Sequence, residues 1–376
     1  MVMVGWLGFA VGVFVVTSTL LSVVGTLVVP RGVNSPISHG VDRALDGAFY
    51  QLTKRVRSYE RRDRILAWQS PLSLLIRLVV WLGLLVAGFA LLLLPSLDGN
   101  LAAAFSHAGS SLFTLGYAAP TGTGSSTLEY LAAFVGLVVI GLQVGYLPAL
   151  YAAFNRRETE VSLLTSRAGI PAWGPEILAR TRWGIGDDAD VPALLEELFV
   201  AWERWAAEVA ESHTTYLTLA RLRSPRPLSH WLIALIAVMD AAALHLALAP
   251  SQEPKLSPRL ALRMGFVAIQ QIATVMGLSV PDDPDPDGPV TVTFDEFRSA
   301  TAMLREVGYP IEQTDEDAWP HFRGWRANYD MPALLLARQL DAPPALWTGP
   351  RRWPSTPIAP RRPPARFARG ARRRRT

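Results

Sequence analysis

The chain has 376 residues, half of which are hydrophobic, and it carries a net charge of +4 with no cysteine. This length can hold a membrane part and a separate domain, while the absence of cysteine excludes disulfides and thiolate metal sites. Arginines crowd the C-terminal end and acidic residues cluster elsewhere, so the net charge identifies no binding partner.

The first predicted element is a transmembrane helix in residues 1–30. Residues 6–29 contain no charged side chain, and this stretch is too long for the apolar core of a signal peptide. Residues 31–71 form a basic loop, and short basic loops stay on the cytoplasmic side of a membrane. We therefore expect the N-terminus to lie outside the plasma membrane.

Two further apolar stretches, residues 72–94 and 128–154, are each long enough to cross a bilayer. The segment between them contains no Lys or Arg, as expected of an external loop. Arg77 lies near the cytoplasmic end of the earlier stretch, where its long side chain can reach the interface. Arg156 and Arg157 end the later stretch on the basic side. These patterns predict a multi-pass protein with a cytoplasmic C-terminal domain.

A short helix is predicted in the external segment. Asp98 or Asn100 can cap its start, the alanine-rich run that follows propagates it, and about three turns reach Phe113. The helix dipole places partial negative charge at its C-terminal end, which favours a cation over an anion there. Non-helical backbone after it is tolerated at membrane depth only where it lines a cavity or is buried in protein.

Directly after this helix the chain reads Thr-Leu-Gly-Tyr-Ala, which matches four of the five positions of a Thr-Val-Gly-Tyr-Gly filter, with Leu for Val. With the flanking apolar stretches, residues 72–157 resemble the pore module of the potassium-channel family: an outer helix, a re-entrant pore helix, a filter and an inner helix. The resemblance implies a homotetramer in which filter carbonyls and the threonine hydroxyl replace the water around potassium or another monovalent cation. The implied ion-binding residues are Thr114, Leu115, Gly116, Tyr117 and Ala118.

Ala118 departs from this pattern, because it replaces the second filter glycine. A Cβ makes left-handed backbone angles cost roughly 1–2 kcal/mol, so we expect the outermost ion site to be altered. The resemblance then implies either a cation channel with relaxed selectivity or a loop that no longer conducts. In the second case the chain would be a membrane-anchored scaffold or sensor that acts through its cytoplasmic domain.

The last transmembrane stretch corresponds to the inner, pore-lining helix. Its glycines and proline can loosen or kink a helix at a gate, although glycines in membrane helices also mark close packing. Its strongly polar residue, Gln143, is expected to face a water-filled cavity or a neighbouring helix. The candidate pore-lining or hinge residues are Gly136, Gly141, Gln143, Gly145 and Pro148.

Residues 158–341 predict a helical cytoplasmic domain. Asp190 can cap an amphipathic helix whose aromatic stripe is expected in the core. Residues 228–249 are apolar enough for a fourth span, but Asp240 and His245 within them favour a buried central helix. A fourth crossing would also export the arginine-rich end of the chain against the charge rule.

Several patches resemble functional motifs but lack their context. The segment 184–189 fits a loose dinucleotide pattern without the preceding strand. The segment 283–288 resembles a calcium loop, but its glutamate arrives late and two prolines stiffen it, so an acidic linker is expected. The histidines show no ligand spacing. The sequence predicts no enzyme, no catalytic residues, no cofactor and no metal site.

Residues 342–376 are rich in Pro and Arg and predict a disordered tail. Beside a membrane such a tail is attracted to anionic lipid, at about 1 kcal/mol per Arg near the surface. Nucleic acid is the weaker alternative and is not expected, because no aromatic residues alternate with the arginines in a folded groove. The predicted fold class is an all-α membrane protein with three transmembrane helices, a re-entrant pore helix and filter between the second and third, and a mainly helical cytoplasmic domain.

Overall fold

The structure is a computed structural model that describes residues 2–29, 35–120, 122–182, 191–281 and 283–348. The capping role predicted for Asp190, the motif at 184–189 and most of the predicted tail lie outside the described residues. Within these residues all regular secondary structure is helical. The chain divides into two compact units, unit 1 (Met1–Arg57 and Arg64–Ala152) and unit 2 (Ser58–Asp63 and Ala153–Thr376).

Unit 1 contains the long apolar helices of the N-terminal part. Its elements are α1 (Val2–Leu27), α2 (Pro36–Thr53), the end of α3 (Tyr59–Leu66), α4 (Gln69–Leu93), a 3-10 turn (Leu94–Leu97), α5 (Leu101–Leu112) and the first part of α6 (Thr123–Ala168). Helices α1 and α4 approach closely through glycine, because a Cβ at Gly12 would lie 2.8 Å from the carbonyl oxygen of Gly88. Close approach of this kind is typical of helix pairs in membranes.

Two buried polar side chains of α4 have partners on other helices of unit 1. The indole nitrogen of Trp81, which is fully buried, donates to Ser22 Oγ of α1 at 2.9 Å. Arg77 is buried and donates to Asp42 of α2 at 2.6 Å. The expectation that Arg77 reaches the interface is therefore not met, because the amphipathic helix α2 packs on α4 and supplies a carboxylate.

Unit 2 is a bundle of helices around one apolar helix. Its elements, besides the start of α3 and the end of α6, are α7 (Gly174–Arg180), α8 (Val191–Thr215), α9 (Thr218–Arg221), α10 (Trp231–Leu248), α11 (Leu256–Val275), α12 (Phe294–Glu306), α13 (Asp315–Ala327) and α14 (Asp330–Gln339). Helix α10 is apolar on all sides, and α7, α8, α11, α13 and α14 pack around it. Trp202 and Trp205 of α8 are buried in this core, as predicted.

The first residues of the predicted tail are packed rather than disordered. Ala342, Ala345 and Trp347 are buried in the core of unit 2. The Trp347 ring packs against Trp173 and Phe322, and its carbonyl oxygen accepts a hydrogen bond from Arg326 at 2.7 Å. The boundary predicted at residue 342 is therefore too early, because Trp347 fills a core position that composition does not reveal.

Candidate functional site

Helix α5 begins and ends close to the predicted points. Asn100 is the capping residue, and its side-chain oxygen accepts a hydrogen bond from the Ala103 amide at 3.1 Å. Asp98, the other candidate, instead adopts a left-handed conformation in the preceding turn. The helix ends at Leu112, and Phe113 caps its C-terminal end. The residues that follow, Thr114–Ala118, are called the carbonyl loop below.

Backbone amides of the carbonyl loop are anchored on α5. The amides of Leu115 and Gly116 donate to the Ser110 carbonyl oxygen at 2.8 and 3.4 Å. The Ala118 amide donates to Ser110 Oγ at 3.2 Å. The Tyr117 hydroxyl donates to the Ser106 carbonyl oxygen at 3.1 Å. The loop is thus folded back on the last two turns of α5.

The carbonyl oxygens of the same loop have no such partners. Within the described residues, the carbonyl oxygens of 114–117 accept no hydrogen bond from the chain. The side chains of Leu115 and Tyr117 are exposed in the single chain. Residues 114–117 are all exposed in the single chain, so water or a cation can reach their carbonyl oxygens. Four consecutive unpaired acceptors therefore offer a row of oxygen ligands without any charged side chain.

Backbone strain in the loop lies at a different residue from the one expected. Thr114 has φ 55° and Gly116 has φ 71°, whereas Ala118 is not among the described residues with positive φ. The left-handed angle is free for glycine but costs roughly 1–2 kcal/mol at Thr114. The Thr114 hydroxyl donates to the Phe113 carbonyl oxygen at 2.7 Å. Ala118 therefore does not have the strained left-handed backbone that was expected there, and its amide is hydrogen-bonded to Ser110 Oγ.

The five candidate pore-lining or hinge residues of α6 fall on two opposite faces. Gly136 and Gln143 are buried toward the other helices of unit 1, and Gly141, Gly145 and Pro148 are exposed. A Cβ at Gly136 would lie 2.1 Å from the Leu112 carbonyl oxygen. Gly136 is thus a close-packing position for the end of α5, whereas nothing lies within 4 Å of a Cβ at Gly141 or Gly145.

A His–Glu pair beside the carbonyl loop was not predicted. His107 Nδ1 of α5 lies 2.9 Å from Glu129 Oε1 of α6, and the two side chains are 14% and 7% exposed. Metal-ligand spacing among the histidines does not reveal this pair. The available signal was the position of these two polar residues in segments that are otherwise nearly uncharged.

The acidic segment after α11 has the features of a linker. Asp287 pairs with Arg323 at 2.8 Å, and Asp285 Oδ1 accepts the Asp287 amide at 3.0 Å. No group of three potential metal ligands occurs in the part of the chain that the structure describes.

Among the buried charges of unit 2 are two networks that sequence reasoning missed. Arg326 pairs with Asp240 and Asp330, and the Tyr329 hydroxyl donates to Asp240 at 2.7 Å. Burial raises the pKa of Tyr329, which keeps its hydroxyl neutral as a donor.

The second network ties the start of α3 to the rest of unit 2. Arg62 pairs with Asp341 through two hydrogen bonds of 2.6 and 3.1 Å. Arg223 pairs with Asp63 and donates to the Leu340 carbonyl oxygen at 2.9 Å. Both networks join residues far apart in sequence, and they fix the fold of unit 2 rather than create an open site.

Four helical segments of the described chain are long and apolar enough to cross a membrane, namely Gly5–Leu27, Tyr59–Leu97, Thr123–Ala168 and Trp231–Leu248. This is the pattern of an all-α, multi-pass membrane protein. Comparisons with protein-family models, with curated proteins and with solved structures found no match to the chain.

Proposed function

We propose that the chain is one subunit of a homotetrameric channel for potassium or another monovalent cation, with the carbonyl loops of four copies around one ion path. The observation that carries this proposal is the set of unpaired carbonyl oxygens at 114–117. They lie in a loop whose amides and Tyr117 hydroxyl are hydrogen-bonded to α5. Carbonyl dipoles held in this way can replace the water of a cation.

The chemistry of the loop favours a monovalent cation. The loop contains no acidic or basic side chain, and the C-terminal end of α5 adds only partial negative charge. Divalent cations such as magnesium dehydrate reluctantly and bind carboxylates. A row of neutral carbonyl oxygens therefore suits a weakly hydrated monovalent cation better.

Exposed apolar surface around the loop supports assembly. On α6, Tyr130, Phe134, Leu137 and Val144 are exposed in the single chain. One loop can supply only part of a ring of ligands, and four copies related by rotation would close it. The exposed face of α6 would then contact lipid, the ion path or a neighbouring subunit. This face includes Gly141, Gly145 and Pro148.

The proposed membrane layout has three spans, α1, α4 and α6, with α5 and the carbonyl loop re-entrant between the last two. Helix α10 belongs to a cytoplasmic domain in this layout, which its enclosure by other helices supports. The N-terminus lies outside, and the arginine-rich tail adjoins anionic lipid of the inner leaflet by its composition.

Potassium flux into liposomes tests the proposal with two matched variants. Gly116 and Gly99 both have positive φ, 71° and 78°, and nothing lies within 4 Å of a Cβ at either. Alanine therefore imposes a similar backbone cost, about 1 kcal/mol, at both positions. We expect Gly116→Ala to reduce potassium flux or selectivity at least about tenfold and Gly99→Ala to leave both unchanged.

A tetrameric wild-type protein without flux, or equal effects of the two variants, would reject the channel. The alternative is then the non-conducting scaffold or sensor, which the loss of the second filter glycine at Ala118 favours. Ala118→Gly separates relaxed selectivity from loss of conduction, because it restores the family pattern at that position.

A further inference from the structure

The position of the carbonyl loop depends on the position of α5. The backbone amides of the loop and the Tyr117 hydroxyl donate to this helix, at the Ser106 carbonyl, at the Ser110 carbonyl and hydroxyl, and at the Ser111 carbonyl. The loop therefore moves with α5. Any contact that fixes the rotation and tilt of α5 also fixes the direction of the carbonyl oxygens.

Two of the contacts between α5 and α6 differ in kind. One is the close approach of the Leu112 carbonyl oxygen to Gly136, which sets a distance but tolerates rotation. The other is the hydrogen bond between His107 and Glu129, which is directional and mostly buried. His107 follows Ser106, whose carbonyl oxygen holds Tyr117. The polar pair thus acts on the helix turn that anchors the far end of the loop.

We propose that His107 and Glu129 are positioning residues for the carbonyl loop. Their hydrogen bond fixes the rotation of α5 against α6, so that Ser106 and Ser110 hold the backbone of the loop in one conformation. In its effect on ion selectivity this inference rests on the proposed function. In its effect on loop order it does not, because the contacts exist in the single chain.

The test uses the full-length protein in liposomes and three variants. Glu129→Ala removes the acceptor, and Glu129→Gln keeps a side-chain oxygen at the same reach. Asp42→Asn is the control, because Asp42 belongs to another ion pair of unit 1, with the buried Arg77. All three are compared with wild type by hydrogen exchange of the loop amides and by the ratio of potassium to sodium flux.

We expect Glu129→Ala to speed exchange of the Leu115 and Gly116 amides about tenfold and to lower the flux ratio by a similar factor. Glu129→Gln should recover most of both losses. Asp42→Asn should change neither, whatever it does to thermal stability. If Glu129→Ala does not assemble, His107→Ala replaces it, with the same expected result.

Unchanged loop exchange in Glu129→Ala and in His107→Ala would overturn the positioning role, whether or not the protein conducts. Equal loss in Asp42→Asn would also overturn it, since the effect would then reflect general destabilisation. Absent flux in every protein, including wild type, would reject the proposed function, while the exchange result would still decide the role of the pair.

Discussion

The apolar stretches of helices α6 and α10 have nearly equal mean hydropathy, yet the chain buries them to very different extents. In α6 only 33% of the most apolar stretch is buried by the chain, whereas in α10 the share is 94%. A helix that exposes large apolar side chains requires lipid or another subunit. A helix that is apolar all round is buried in a protein core or in a membrane, and α10 is enclosed by its own chain. Hydropathy alone does not distinguish these cases.

The exposed side chains of the two units follow the same division. Within the described residues of unit 2, the large exposed hydrophobic side chains are Leu163, Leu194, Leu256, Leu260 and Met331. Unit 1 exposes far more, along α1, the end of α2, the N-terminal half of α4, α5 and the first part of α6. This contrast predicts that unit 1 is solvated by lipid and unit 2 by water.

The largest expected effect is all-or-none labelling by a membrane-impermeant maleimide. The chain has no cysteine, so single cysteines can be introduced directly. Ala102→Cys lies on exposed α5 and Ala302→Cys on exposed α12. In intact cells we expect the reagent to label position 102 and not position 302. After the membrane is opened, we expect position 302 to be labelled as well. Label at 302 in intact cells would break the proposed division.

Removal of the central arginine in unit 2 should have the largest effect on stability. Arg326 is 2% exposed and pairs with Asp240, which is fully buried. Arg326→Met leaves buried carboxylates without their cation, and we expect a loss of about 3–5 kcal/mol.

Arg323→Met on the same helix is the control, because its partner Asp287 is mostly exposed. We expect a change within about 1 kcal/mol there. Chemical denaturation of the detergent-solubilised protein, followed by tryptophan fluorescence, measures both. Equal losses would show that the Arg326 network does not hold the core.

Close packing in unit 1 gives the next effect. Gly136→Ala places a Cβ against the backbone carbonyl of Leu112, which cannot move without displacing α5. We expect a loss of about 1–3 kcal/mol. Gly141→Ala has open space around its Cβ and should be neutral. Thermal aggregation of the protein in detergent compares the two variants; a neutral Gly136→Ala would contradict the close approach.

The smallest effect is a pH dependence in unit 2. Burial, together with the charge of Arg157, lowers the pKa of His213 well below its usual value. Below about pH 6.5 the unfolded chain binds a proton that the folded chain excludes, so stability falls as the pH drops, by at most ~1.4 kcal/mol per pH unit for this residue.

Above about pH 6.5 His213 is neutral in both states and contributes no slope. His213→Gln should reduce the slope of unfolding free energy against pH on the acid side by the equivalent of up to one bound proton. Denaturation midpoints between pH 5 and 7 measure this slope. An unchanged slope would show that His213 takes up its proton in the folded state.

Local and periodic features could be predicted from the sequence. Hydropathy and charge predicted the long helices α1, α4 and α6, and a side-chain oxygen followed by alanines predicted the start of α5 at Asn100. The buried charge of Asp240 correctly favoured an enclosed α10 over an exposed one, because an unpaired carboxylate in lipid is costly.

Pairings between distant residues could not be predicted. Asp42 with Arg77, His107 with Glu129 and Asp240 with Arg326 are each set by how helices pack, and no spacing rule joins them. The conformation of the carbonyl loop depends on the same packing, which placed the strained residue at Thr114 rather than at Ala118.

The central proposal, that the carbonyl loops of four copies conduct a monovalent cation, is tested most directly by single-channel recording of the purified wild-type protein in a planar bilayer. With potassium on one side and sodium on the other, the account predicts unitary currents with a reversal potential that favours potassium. A protein that is tetrameric by mass and inserted in the bilayer, yet passes no unitary current at any voltage or cytoplasmic pH, would contradict it.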